Sequence, residues 1–219
     1  MKKLRFDVKK ICVLAMLSAL AFLVMAFCRI PVVLFLKYEP KDIIITIGGF
    51  LYGPLAAFAV TTVVSFVEMF TVSETGFIGL LMNIIAGCSF ACTASFLYKK
   101  NRSLKGAVIG LVAAWLLTTA VMVMWNYLVT PLYMKVSREQ IVGLLLPAFV
   151  PFNLLKGGLN AAATMLLYKP VKAALTASRM LPPLKEPRKS SRVNIGVIII
   201  SAFVIVTCVL WVLVLREVL

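Results

Sequence analysis

Residues 195–215 form a run of 21 consecutive uncharged, mostly apolar side chains. A helix of that length crosses a hydrocarbon core about 30 Å thick. Comparable apolar runs recur along the chain at residues 11–28, 43–67, 77–98, 107–129 and 142–167. Nothing constrains the fold more, because only helices and closed barrels satisfy their backbone inside lipid. Hydrophobic residues make up 62% of the chain and charged ones 14%, against roughly half and a quarter in a soluble domain. The expected class is an all-α integral membrane protein.

The formal charge of +15 does not point to nucleic acid, since the basic residues cluster in short loops between apolar runs. Such clusters read as loop charge at one membrane face. The chain has no histidine, which excludes His-based catalytic triads, imidazole–zinc sites and His-ligated haem. Cys12, Cys28, Cys88, Cys92 and Cys208 all lie in apolar runs without a CxxC spacing, so no disulfide framework or thiolate metal site is expected. A phosphate-binding GxxxxGK[ST] loop is also missing, so any transport work would draw energy from another subunit.

The basic N-terminus followed by the run 11–28 has the outline of a signal peptide. Its only small-x-small match, Ala19-Leu20-Ala21, lies inside the run rather than after it. The run is therefore read as a retained first span. Residues 43–67 are uncharged but broken at Gly48-Gly49 and Gly53-Pro54. One kinked helix fits that pattern, and so do a short second span (43–52) and a third (55–72). Further spans follow at 77–98, 107–129, 142–167 and 195–215. With the split, 16 of the 23 Lys and Arg residues fall on one side: five at the N-terminus, four between residues 99 and 105, seven between 169 and 192. The positive-inside rule makes that side cytoplasmic, so the N-terminus is expected in the cytoplasm and the C-terminus outside.

Lys156 is the most informative side chain. It lies deep in the sixth span, where an ammonium costs roughly 2.5–3.5 kcal/mol to insert, so it should face a cavity or partner. Asn153, Lys156 and Asn160 are spaced i, i+3, i+7 on one helical face and together suit a polar ligand rich in acceptors. The alternative is interhelical hydrogen bonding with a snorkelling lysine. In the fourth span Gly79, Asn83 and Gly87 repeat every four residues, a pattern that fits close approach of a ligand or of another helix. Asn126, within Trp125-Asn126-Tyr127, is the polar residue there that an aromatic belt does not explain. In the first span Ala15 and Ala19 let another helix pack closely. The final run offers no polar group suited to a ligand, and its uniform apolarity predicts a helix lying in lipid beside the bundle without a specific seat.

Taken together these segments resemble a known family. Lys37-Tyr38-Glu39-Pro40-Lys41-Asp42, followed by the Gly-Gly and Tyr-Gly-Pro hairpin, is similar to the substrate-binding S components of energy-coupling factor (ECF) transporters. Trp125-Asn126-Tyr127-Leu128-Val129-Thr130-Pro131-Leu132-Tyr133 and the stretch from Leu146 to Gly157 resemble the riboflavin-specific members. The likeness spans roughly residues 8 to 175. It implies a six-helix bundle (residues 1–176) holding the vitamin near the outer face, between the first loop and the later helices. Matching positions for flavin contacts are Asn126, Asn153 and Lys156, with Tyr38, Asn83 and Asn160 as further candidates. Ala15 and Ala19 match a face that docks the transmembrane coupling protein, and two cytoplasmic ATPases complete the assembly. Riboflavin would be a transported ligand rather than a cofactor, and the chain itself no enzyme. A basic cytoplasmic linker (177–193) and an extra transmembrane helix (194–219) depart from the six-helix pattern. Competing readings are an S component for folate or pantothenate, and a structural membrane subunit without a ligand.

Overall fold

The computed structural model describes residues 8–34, 36–73, 75–178 and 195–215. The expected basic linker falls almost wholly outside them, as do Glu74 and the first seven residues. Helix α1 (Val8–Phe27) buries Val13, Leu17, Ala21 and Met25, a stripe spaced by four that faces the bundle. A short antiparallel hairpin follows, β1 (Ile30–Val33) and β2 (Leu36–Tyr38), with Ile30 opposite Tyr38. Next come α2 (Lys41–Tyr52) and α3 (Pro54–Thr71). The split expected between the second and third spans is present and has a local cause. Gly53 sits at φ +94° and ψ 175°, a conformation essentially reserved for glycine, and Pro54 then opens α3 at its first turn. At ~1.5 Å per residue α2 is about 18 Å long, shorter than a full hydrocarbon core, and it ends at Gly53 beside Lys99. It is buried on nearly every side, wedged among α1, α3 and the later helices.

Helices α4 (Gly76–Gly87) and α5 (Thr93–Lys100) are joined by one wide turn, Cys88–Cys92, into a single apolar rod. Ser103 caps the long α6 (Leu104–Leu128) by accepting from the Gly106 N–H at 3.0 Å. A short α7 (Thr130–Met134) precedes α8 (Arg138–Leu144), which opens with a Ser137/Gln140 capping box. A second wide turn, Leu145–Phe149, includes Pro147 and leads into α9 (Val150–Ala177). Such turns arise where the regular i→i−4 ladder is interrupted, as a proline interrupts it here. The sixth span is thus a 40-residue helical unit, Arg138–Ala177, longer than the apolar run 142–167 suggested.

Helix α10 (Ile195–Leu215) coincides with the final run. The expectation that it lies in lipid without a seat does not hold. It packs along α9 and touches β1. Val204, Ile205, Cys208 and Val212 rest on Val32, Tyr38, Phe152, Leu155 and Leu159. Gly158 lies at this contact, where a Cβ would stand at ordinary van der Waals distance, 3.6 Å, from Cys208 Sγ.

Candidate functional site

Lys41 and Asp42 open α2, and Asp42 gains there from the helix N-terminus. Burying α2 carries both charges into the bundle, each less than 5% exposed. Each must therefore find a partner. Lys41 Nζ lies 2.9 Å from Glu39 Oε2 and donates to Glu68 Oε2 on α3. Arg29 bridges the same two carboxylates, 2.6 Å from Glu39 and 3.4 Å from Glu68, and donates to the Val72 carbonyl at 3.2 Å. On the other side Asp42 Oδ2 meets Lys156 Nζ at 3.5 Å and accepts from Asn160 Nδ2 at 3.3 Å. Asn160 Oδ1 in turn accepts from the Tyr38 hydroxyl at 3.0 Å. Three cations and three carboxylates thus compensate one another across α2, α3, α9 and the first loop.

Two loop groups have shifted proton affinity. Burial opposes ionisation of Glu39, but Lys41, Lys156 and Arg29 overcome it and hold its carboxyl down at about 2, against an ordinary 4.5. Burial, reinforced by Asp42, pushes the Tyr38 hydroxyl above its ordinary range, so it stays protonated and donating.

This network forms one wall of a cavity of about 280 Å³, near the lower end of the ~300–1,000 Å³ of small-molecule sites. Five of the expected residues line it: Asn83, Asn126, Asn153, Lys156 and Asn160. Tyr38 does not line it, but reaches it through Asn160. The apolar part includes Met82, Phe90, Met122 and Phe152. Gly87, paired with Asn83 in the sequence pattern, serves packing: a Cβ there would fall 2.7 Å from Thr61 Cγ2.

The asparagines are not equivalent. Asn126 accepts from Thr130 Oγ1 through Oδ1 at 3.0 Å, which directs its amide donors elsewhere. Asn153 donates through Nδ2 to the Phe149 carbonyl at 2.8 Å, which leaves Oδ1 as its acceptor. That carbonyl lies in the wide turn Leu145–Phe149. Asn160 engages both ends of its amide within the protein, so it orients its neighbours more than it offers itself.

Sequence reasoning missed the Arg29, Glu39, Lys41, Asp42 and Glu68 cluster as a unit. The available signal was Glu68, a lone carboxylate at the end of a 25-residue uncharged run. Thr118 was missed too. It lines the cavity, and its hydroxyl has no hydrogen-bond partner among the described residues. Ala15 and Ala19 stand elsewhere, exposed along an apolar groove between α1 and α3 with Ser18, Val60, Val63 and Val67.

A helical membrane bundle with a partly polar cavity held by compensated charges defines the class, a small-solute-binding membrane protein. The family model for the substrate-specific component of ECF transporters matches residues 9–168, and the chain belongs to that family. Members are substrate-binding transporter subunits, not enzymes. The chain is 32% identical over 180 residues to the riboflavin transporter RibU of Streptococcus thermophilus, covering 77% of this chain and 85% of that protein. It is 30% identical over 185 residues to the riboflavin transporter FmnP of Bacillus subtilis, covering 78% and 96%. A solved S component of a bacterial ECF transporter matches with a TM-score of 0.65 at 30% identity, over 77% of this chain and 98% of that one.

Proposed function

We propose that this chain is the riboflavin-binding subunit of an ECF-type importer. The observation that carries the reading is the polarity of the cavity's side chains. Asn126 presents donors, Asn153 an acceptor and Lys156 a donor. The imide edge of an isoalloxazine ring presents carbonyl, N–H and carbonyl, the complementary set. Apolar walls suit the flat ring itself, and a few placed polar groups fix its orientation. Relatives named as riboflavin transporters support the same ligand.

In this reading the six-helix unit, residues 1–176, holds the vitamin. The groove containing Ala15 and Ala19 receives a helix of the transmembrane coupling protein, and two ATPases drive transport. The basic N-terminus and the linker 177–193 face the cytoplasm, and the helix within 194–219 carries the C-terminus outside. These assignments follow from loop charge and from the small-residue face.

The test is purification in detergent without added vitamin, followed by an absorption spectrum and a fluorescence titration. Flavin bands in the spectrum, or quenching of added riboflavin, are expected. Asn126→Ala and Asn153→Ala should each weaken binding by about 1–3 kcal/mol, the cost of an unmatched buried group. Binding of folate or pantothenate in place of riboflavin would sink the ligand while keeping the family.

A further inference from the structure

The hairpin β1–β2 has strands of four and three residues. An isolated hairpin of that size is not stable on its own. Yet Val32 is 4% exposed and Tyr38 8%. Their cover is α9 on one side, through Phe152, Leu155 and Leu159, and α10 on the other, through Val204, Cys208 and Val212. Those three α10 residues are spaced by four and form one stripe. Phe203, Val206, Val209 and Leu210 on the remaining surface are exposed. Leu36, Lys37 and Glu39, on and just after the hairpin, line the cavity. Tyr38 also donates to Asn160, which holds Asp42 beside Lys156. The family match ends at residue 168, so α10 is an addition to the part of the chain that defines the family.

We propose that α10 is a clamp on the binding site. Its Val204, Cys208 and Val212 stripe holds Tyr38 and the hairpin against α9, and so sets how long a ligand stays in the cavity. The positioning residue is Cys208, which acts through Tyr38 rather than on the ligand. The proposal rests on the cavity being the riboflavin site.

The experiment uses the full chain with Cys12, Cys28, Cys88 and Cys92 replaced by Ala, leaving Cys208 as the only thiol. Its rate of modification by N-ethylmaleimide reports separation of the hairpin from α10. Riboflavin should slow modification by about tenfold, and Tyr38→Ala should speed it by about tenfold without ligand, as expected for local opening of a covered side chain. In the otherwise unaltered chain, Cys208→Phe overpacks the buried contact with Tyr38, Leu155 and Leu159. It should raise the riboflavin dissociation rate by about tenfold while the association rate stays within about twofold, because interface changes act mainly on dissociation. A Cys208 modification rate indifferent to Tyr38→Ala and to bound riboflavin would overturn the clamp, as would unchanged dissociation in Cys208→Phe. If Cys208→Phe does not fold, the modification rates decide. If the chain binds no riboflavin, the ligand reading fails separately, and the Tyr38→Ala comparison alone still upholds or overturns the contact between hairpin and helix.

Discussion

Lys156 on α9 and Asp42 on α2 form a 3.5 Å ion pair inside the bundle, with the lysine at the wall of the cavity. Lys156 thus faces both a cavity and a partner. The pair also changes what removing the lysine should do. An unpaired Lys156 would be a cost that substitution relieves, but here substitution strands a buried carboxylate.

Lys156→Met should therefore destabilise the empty protein by about 2–3 kcal/mol, below the ~3–5 of a sealed pair because the lysine side chain is 18% exposed. Adding Asp42→Leu should restore most of that stability. Riboflavin binding should stay weakened in both variants, since neither has the ammonium. Denaturant unfolding beside a fluorescence titration separates the two effects, and full recovery of binding in the double variant would remove Lys156 from the site.

The Glu39 carboxyl is held at about 2 in the folded protein against an ordinary 4.5. Its folded value is depressed, so unfolding takes up a proton as pH approaches 4.5 from above. The stability it contributes is fully present above that value and is lost as pH falls toward 2. Thermal unfolding midpoints should be level between pH 7 and 5 and decline below about 4.5. Glu39→Gln should lower the plateau and shrink the decline. An unchanged acid limb in that variant would assign the decline to other carboxylates.

Gly53→Ala tests the break between α2 and α3. Among the described residues a Cβ there meets nothing closer than Lys99 Cδ at 3.9 Å, so collision with them contributes nothing. The cost is the backbone conformation alone, about 1–3 kcal/mol for a non-glycine residue in that region. Unfolding of the purified variant measures it. A loss under about 0.5 kcal/mol would mean that the turn relaxes freely.

Ala15→Trp or Ala19→Trp fills the groove between α1 and α3 without touching the cavity. Uptake of riboflavin by cells should fall to background, with affinity in detergent unchanged. If both are lost, α1 contributes to the bundle's own integrity instead of to docking.

The spans were legible because hydropathy reports directly on lipid burial. The final run and α10 agree residue for residue, and the hairpin break was visible as Gly53-Pro54. The polar candidates were legible for a related reason: an amide or ammonium at membrane depth needs an explanation, and Asn83, Asn126, Asn153, Lys156 and Asn160 all line one cavity. Roles within that set were not legible. Asn126 and Asn153 differ only in which end of the amide Thr130 and the Phe149 carbonyl occupy.

By itself the sequence determined the membrane class, the placing of the apolar segments, the likeness to S components and the polar residues at depth. The likeness rests on motifs, and the others follow from composition along a single segment, since a backbone in lipid must bond within its own helix. Only the tertiary structure decided how Arg29, Glu39, Lys41, Asp42, Glu68 and Lys156 compensate one another, because they lie on the first loop and three separate helices and meet only after packing. It also decided the seat of α10. Lipid is as apolar as a neighbouring helix, so hydropathy cannot tell a face turned to lipid from one turned to protein. That choice is made by shape, where Val204, Cys208 and Val212 fit against Tyr38, Leu155 and Leu159.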